Sequence, residues 1–195
     1  MSIEERRKDV NCLKEAIKYD DINSAVKDGN INAVRHFLKT GSQAYTKRNS
    51  GDNNTPLHVA AYNKDFDMFK LLYESIPEDK RLEAINIPNK NGVTPLLEVA
   101  LMPEFTNDKM LENMPKLASY IIYHGGDASK QGFINGQTEY KGKIQHLDFL
   151  QTLELQLDDY NKNSKEHQTI NKCIQQYNQL NCQKLSYFQA NQHVS

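Results

Sequence analysis

The chain of 195 residues has no tryptophan and only three cysteines, Cys12, Cys173 and Cys182. They are odd in number, far apart and form no C-x-x-C pair, which argues against a disulfide framework and predicts a reducing, intracellular and cytoplasmic setting. Long apolar runs are missing too. Nothing approaches the ~18–20 residues that span a bilayer, so no membrane insertion is expected. Residues Met1–Lys8 lack the apolar core of a secretory signal, which leaves only export by a route that reads no such signal. Neither sign of charge dominates: Lys and Arg number 24, Asp and Glu 25, and the net charge is -1. A nucleic-acid binder would carry a basic excess or stripe, so no nucleic-acid partner is expected.

Catalytic signatures are equally scarce. There is no G-x-x-x-x-G-K-[ST], no G-x-G-x-x-G and no H-E-x-x-H. Cys173 and His167 lie about two helical turns apart, a pairing that chance supplies in a chain with this many histidines. The adjacent acids Asp20/Asp21 and Asp158/Asp159 point in different directions on a helix and make no acid–base pair. The expectation is a protein with no catalytic residues, no metal and no cofactor, and not an enzyme.

What the sequence does contain is a repeated grammar. Charged residues make up 25% and the hydrophobic set 38%, polar for a compact globule but suited to an elongated stack with much surface per residue. Thr55-Pro56-Leu57-His58-Val59-Ala60-Ala61 carries its clearest form. Threonine can cap a helix and proline suits the first helical position, where a missing N–H costs nothing. Leu57 turns inward, the alanines keep that face thin, and His58 reads as a side chain hydrogen-bonded between units. Asp20–Gly29 is a degenerate copy, with Asp20 in the threonine's place and Ala25 and Val26 in the alanines'. Asn32–Leu38 follows as its partner helix. Phe66, Met68, Phe69, Leu71 and Leu72 supply the partner helix of the central unit, whose turn carries Lys64 instead of glycine. Ile85–Pro95 is a polar loop with Gly92 at its corner, and Thr94-Pro95-Leu96 restarts the motif with Leu97 for the histidine. Pro115 is expected at the first position of the next partner helix, whose stripe is Leu117, Ala118, Ile121 and Ile122.

These strings resemble the ankyrin-repeat family: T-P-L-H-x-A at Thr55, V-N-x-x-D-x-x-G-x-T-P over Ile85–Pro95, and x-x-G-A-D at Tyr123–Ala128. Asn53 stands where the family usually has glycine, and Asn89 where it has aspartate. The resemblance implies an all-α solenoid of helix pairs with short β-hairpin fingers and helical caps at both ends. Residues 1–19 read as an N-terminal capping helix with a polar outer face. Residues 20–137 read as about three repeats, since Thr55 and Thr94 lie 39 apart against a family period of ~33. Insertions are expected near 75–83 and 103–114, the first including the charged run 78–81 as a solvated loop. Gly136-Gln137-Thr138 is the candidate start of a last unit. Residues 138–195, where glutamine becomes frequent, read as a divergent final repeat with a helical cap.

The family resemblance also implies a function. Such stacks bind proteins across a concave face formed by finger tips and first-helix surfaces. Carried over residue by residue, that face comprises Asn53, Asn54, Lys90 and Asn91 at the fingers, and Tyr62, Asn63, Glu98, Leu101 and Met102 along the first helices. Glu98 is expected to point into the groove. The partner is expected to be another protein and the chain a monomer. The Asn-, Lys- and Gln-rich composition resembles small ankyrin proteins that intracellular bacteria deliver into host cells, which would place the partner, and this chain, in a host cytoplasm. The alternative is a targeting arm whose C-terminal helices carry a small activity or self-associate.

Overall fold

A computed structural model describes residues 2–41, 44–102, 106–134, 145–157 and 160–192. Its elements are α1 Ile3–Ala16, α2 Ile22–Lys27, α3 Ile31–Thr40, α4 Pro56–Tyr62, α5 Phe66–Ser75, α6 Glu78–Ile85, α7 Pro95–Ala100, α8 Asp108–Tyr123, β1 Gly132–Ile134, β2 Gln145–Leu147, α9 Phe149–Leu157 and α10 Lys165–Gln192. The short helices α2, α4, α7 and α9 lie side by side as an inner layer, each on the next. Behind them α1 packs on α3, α5 on α8, and α8 on α10, with a turn at Ala44–Thr46 bridging α3 and α5. Ala25, Val26, Ala60, Ala61 and Ala100 are fully or almost fully buried. Small side chains there let the two layers approach, while Leu57, Phe69, Leu72, Leu117 and Ile121 fill the space between them. In the outer layer Tyr120 stands edge-on to Phe66, Phe69 and Tyr73, at centroid distances of 5.5, 6.4 and 5.8 Å.

The fold is all-α with helix pairs stacked as a solenoid, and several local expectations need correction. Asp21 rather than Asp20 caps α2, accepting from the Ser24 amide at 2.8 Å. The run 78–81 is not a loop but the first turn of α6. Arg81 holds it by donating to the carbonyls of Glu74 and Ile76, and Ala84 and Ile85 bury its far end. Pro115 is inside α8, not at its start. That helix begins two turns earlier because Asn107 caps it through the Met110 amide, and because Leu111 and Met114 extend the buried stripe backwards. Most of the stretch 103–114 is therefore helix, with 103–105 outside the described residues.

The two described fingers, 47–54 and 86–93, are turns without strand pairing. One main-chain bond closes each, from the Asn49 amide to the Asn54 carbonyl (3.0 Å) and from the Asn89 amide to the Val93 carbonyl (2.9 Å), and asparagine side chains add to it. Asn49 Oδ1 accepts from the amides of Asp52 and Asn54, and Asn89 Oδ1 from those of Asn91 and Val93. Strand pairing does occur after the third unit, where β1 and β2 pair antiparallel with Gly132 opposite Leu147. A Cβ on Gly132 would stand 2.9 Å from the Val93 side chain and backbone, so glycine lets this hairpin lie against the preceding finger. The expected G-x-T start at 136–138 falls outside the described residues. Helix α9 is capped by Asp148, whose carboxylate accepts from the Gln151 amide (2.9 Å) while the Gln151 side chain accepts from the Asp148 amide (3.1 Å).

Candidate functional site

The residues expected on the binding face fall into two groups at opposite ends of α4 and α7. At the amino ends stand the fingers. Asn53 adopts φ +58°, a left-handed conformation that asparagine tolerates better than most residues, and its exposed side chain tops the first finger. Arg48 donates to the Asn53 carbonyl (2.9 Å) and to the Pro88 carbonyl of the next finger (3.2 Å). Lys90 reaches back, its amide donating to the Asp52 carbonyl (2.9 Å) and its ammonium to the Gly51 carbonyl (3.0 Å) and the Asp52 carboxylate (2.9 Å). Asn54 is half-buried and accepts from Asn89 Nδ2 at 2.8 Å, and Asn91 is half-buried beside it.

At the carboxyl ends Tyr62 remains 40% exposed, while Asn63, Leu101 and Met102 are half-buried. Asn63 donates to the Lys27 carbonyl at the end of α2 (3.1 Å), tying this edge to the preceding unit. Leu101 rests on the buried pair Val93 and Leu97, against which Leu147 of the last hairpin also packs.

What holds these ends together is Lys64, which the sequence marks only as a turn lacking glycine. It takes φ +53°, as the usual glycine would, and its side chain is buried. Its ammonium donates to the carbonyls of Tyr62 (3.1 Å), Glu98 (2.9 Å) and Leu101 (2.6 Å). Three acceptors use all three N–H groups, and they include carbonyls at the ends of both inner helices. Burial pulls the ammonium down to about 7, against the opposing pull of Glu98. The three short bonds need the charged form, and that is the form the geometry holds.

Glu98 is the one expected surface residue that the structure places inside. It is 5% exposed and accepts from Asn89 Nδ2 at 3.4 Å. Burial raises its carboxyl to about 7, with the Lys64 charge opposing. A polar seam thus runs from Asn54 through Asn89 and Glu98 to Lys64 beneath the surface, and it positions the two exposed groups relative to each other. The reason is tertiary: at this helix position the carboxyl meets the Asn89 amide and lies within the field of the Lys64 ammonium, which itself bonds the Glu98 main-chain carbonyl.

His58 behaves as its sequence context implies. Nδ1 accepts from the Thr55 amide (3.2 Å) and faces the Thr55 hydroxyl (2.7 Å), which leaves Nε2–H to donate to the Val93 carbonyl of the next unit at 3.0 Å. Burial lowers its imidazole to about 4. In the third unit Leu97 replaces it, and an apolar contact with Leu147 takes over from the hydrogen bond. Cys173 is buried, and burial pushes its thiol up to about 12, far from a reactive thiolate. No cluster of His, Cys, Asp and Glu able to hold a metal occurs among the described residues.

These helix pairs, turn-built fingers and inter-unit histidine define an ankyrin stack. A family model described as ankyrin repeats, in three copies, matches residues 22–131, more than half of the chain, and the chain belongs to that family. It is also similar to the transient receptor potential cation channel subfamily A member 1 of Drosophila melanogaster, at 30% identity over 106 residues. That match covers 54% of this chain and 8% of the channel, so the chain spans a small part of that relative's length. Among the described residues no helix is long and apolar enough to cross a membrane. Ankyrin repeats are in general protein-interaction modules.

Proposed function

We propose that this chain is a non-enzymatic module that binds a partner protein across the concave side of the stack. The observation that carries the proposal is the exposed Tyr62 with half-buried Leu101 and Met102 at the carboxyl ends of α4 and α7, where Lys64 ties the main chain of Tyr62 to that of Leu101. Exposed aromatic anchors beside apolar neighbours and within a polar rim are the composition of binding hot spots. Asn53, Asn54, Asn63, Lys90 and Asn91 form that rim, and Glu98 supports it from within. Because the fingers are bonded to each other, little conformational freedom is lost when they meet a partner. The Asn-, Lys- and Gln-rich composition supports a narrower reading, in which the chain is an effector and its partner is a host-cell protein.

The test is affinity capture from the native or host cell with the wild type, Tyr62→Glu, Met102→Glu and, as an outer-face control, Tyr123→Glu. The first two substitutions are expected to reduce recovery of a shared partner about tenfold, roughly 1.4 kcal/mol, and the control to leave it intact. Unchanged recovery with both inner-face variants folded, as judged by circular dichroism, would show that the partner binds elsewhere.

A further inference from the structure

Helix α1 does not have the polar outer face expected of a cap. Three of the seven large apolar side chains left exposed among the described residues lie on α1, Ile3 (74%), Val10 (52%) and Leu13 (47%), and a fourth, Ile17 (75%), caps its carboxyl end. Ile3, Val10 and Ile17 are seven apart, and Leu13 follows Val10 by three, so they share one stripe of the helix, as in the a and d positions of a coiled-coil seam. The opposite side of α1 is occupied. Ala16 is buried and Cys12 half-buried, Asp9 pairs with Lys39 of α3 at 2.7 Å, and Glu15 accepts from Asn30 at 2.9 Å. The stripe therefore points away from the stack. An open trough of about 400 Å³ lies beside its first two members, lined by Ile3, Arg6, Arg7, Val10, Asn11 and Lys14. Three cations line that trough and no acid does.

We propose that this face of α1 docks an acidic amphipathic helix from another protein, apolar side chains along the seam and carboxylates against Arg6, Arg7 and Lys14. Charge selects this occupant. A second copy crossing antiparallel at Val10 would set Arg6 against Lys14, and a parallel copy would set Arg6 against Arg6, both like-charged. A lipid surface fits poorly, because α1 carries Glu4, Glu5, Asp9 and Glu15 against Arg6, Arg7, Lys8 and Lys14 and has no aromatic side chain. Helix-on-helix docking of this kind rests on apolar anchors at i, i+3 and i+7, with flanking charges setting the choice of partner. The surface is separate from the concave face and does not depend on it.

The full chain can be titrated with two fluorescent synthetic helices of about three heptads, sharing a leucine seam but flanked by Glu in one and Lys in the other. Anisotropy is expected to show at least about tenfold tighter binding of the Glu helix, an advantage that shrinks as salt rises. Val10→Asp is expected to abolish binding of both, and the triple variant Arg6→Glu, Arg7→Glu, Lys14→Glu to invert the preference. All these positions are exposed, so the variants are expected to keep the wild-type circular dichroism. Equal affinity for the two helices, binding of neither, or a preference that survives the triple variant would overturn the proposal. So would a dimer that Val10→Asp dissolves, or Val10-dependent binding to phosphatidylserine vesicles.

Discussion

His58 enters the fold neutral, because its Nδ1 must accept from Thr55 while its Nε2 donates to Val93. Its imidazole lies at about 4 in the fold against an ordinary 6.5. A lowered histidine means that the unfolded chain binds the proton more readily. Its contribution to stability is therefore complete above pH 6.5 and is lost as the pH falls towards 4, about 3 kcal/mol in all. An NMR titration is expected to place the His58 midpoint near 4, with the urea midpoint of the chain falling between pH 6.5 and 4. A His58 midpoint at 6.5 would mean that its ring is not enclosed between the units. The histidine was legible from its motif, and Asn53 and Lys64 as residues in glycine's place, though not that both would keep glycine's left-handed backbone. The reach of the Lys64 side chain was not, because two of its three acceptors belong to residues more than thirty positions away. Glu98 was misplaced on the open face for a similar reason: its carboxyl accepts from Asn89 and feels the Lys64 charge, and neither residue is its neighbour in sequence.

Among the elements, α8 shows how a local rule can mislead. Proline is most at home in the first turn of a helix, yet Pro115 sits eight residues into this one, with Leu111 and Met114 buried before it. The apolar stripe and the Asn107 cap outweigh the loss of one main-chain bond and the crowding of the Leu111 carbonyl. Pro115→Ala is then expected to restore that bond and raise stability by about 1–3 kcal/mol in urea unfolding. A neutral or destabilising result would show that the proline ring contributes packing worth as much as the bond. The last unit was half legible. A helical cap was expected over 138–195, and α9 and α10 lie there, but the reciprocal cap of Asp148 with Gln151 is one that the T-P-L-H template does not describe. Helix α6 was hidden by its charge, since only Ala84 and Ile85 face the core.

At the scale of the molecule, repeats contact only their neighbours, so an exposed end unit weakens the whole array. Helix α9 lies on α7, α10 lies on α8, and Leu147 completes the group around Leu97. Removing residues 139–195 is expected to precipitate the remainder or to lower its melting temperature sharply. A soluble fragment melting like the full chain would mark that region as a separate functional tail. The bonds made by Lys64, Arg48 and Lys90 have a further consequence for this array. In a simple string of repeats each joint gives way by itself, as beads slide from a thread. Here one buried ammonium grips both central units from within, and two cations lace their loops from outside. Drawn taut from its two ends, the protein is expected to lengthen little at first and then to surrender both central units in a single tear.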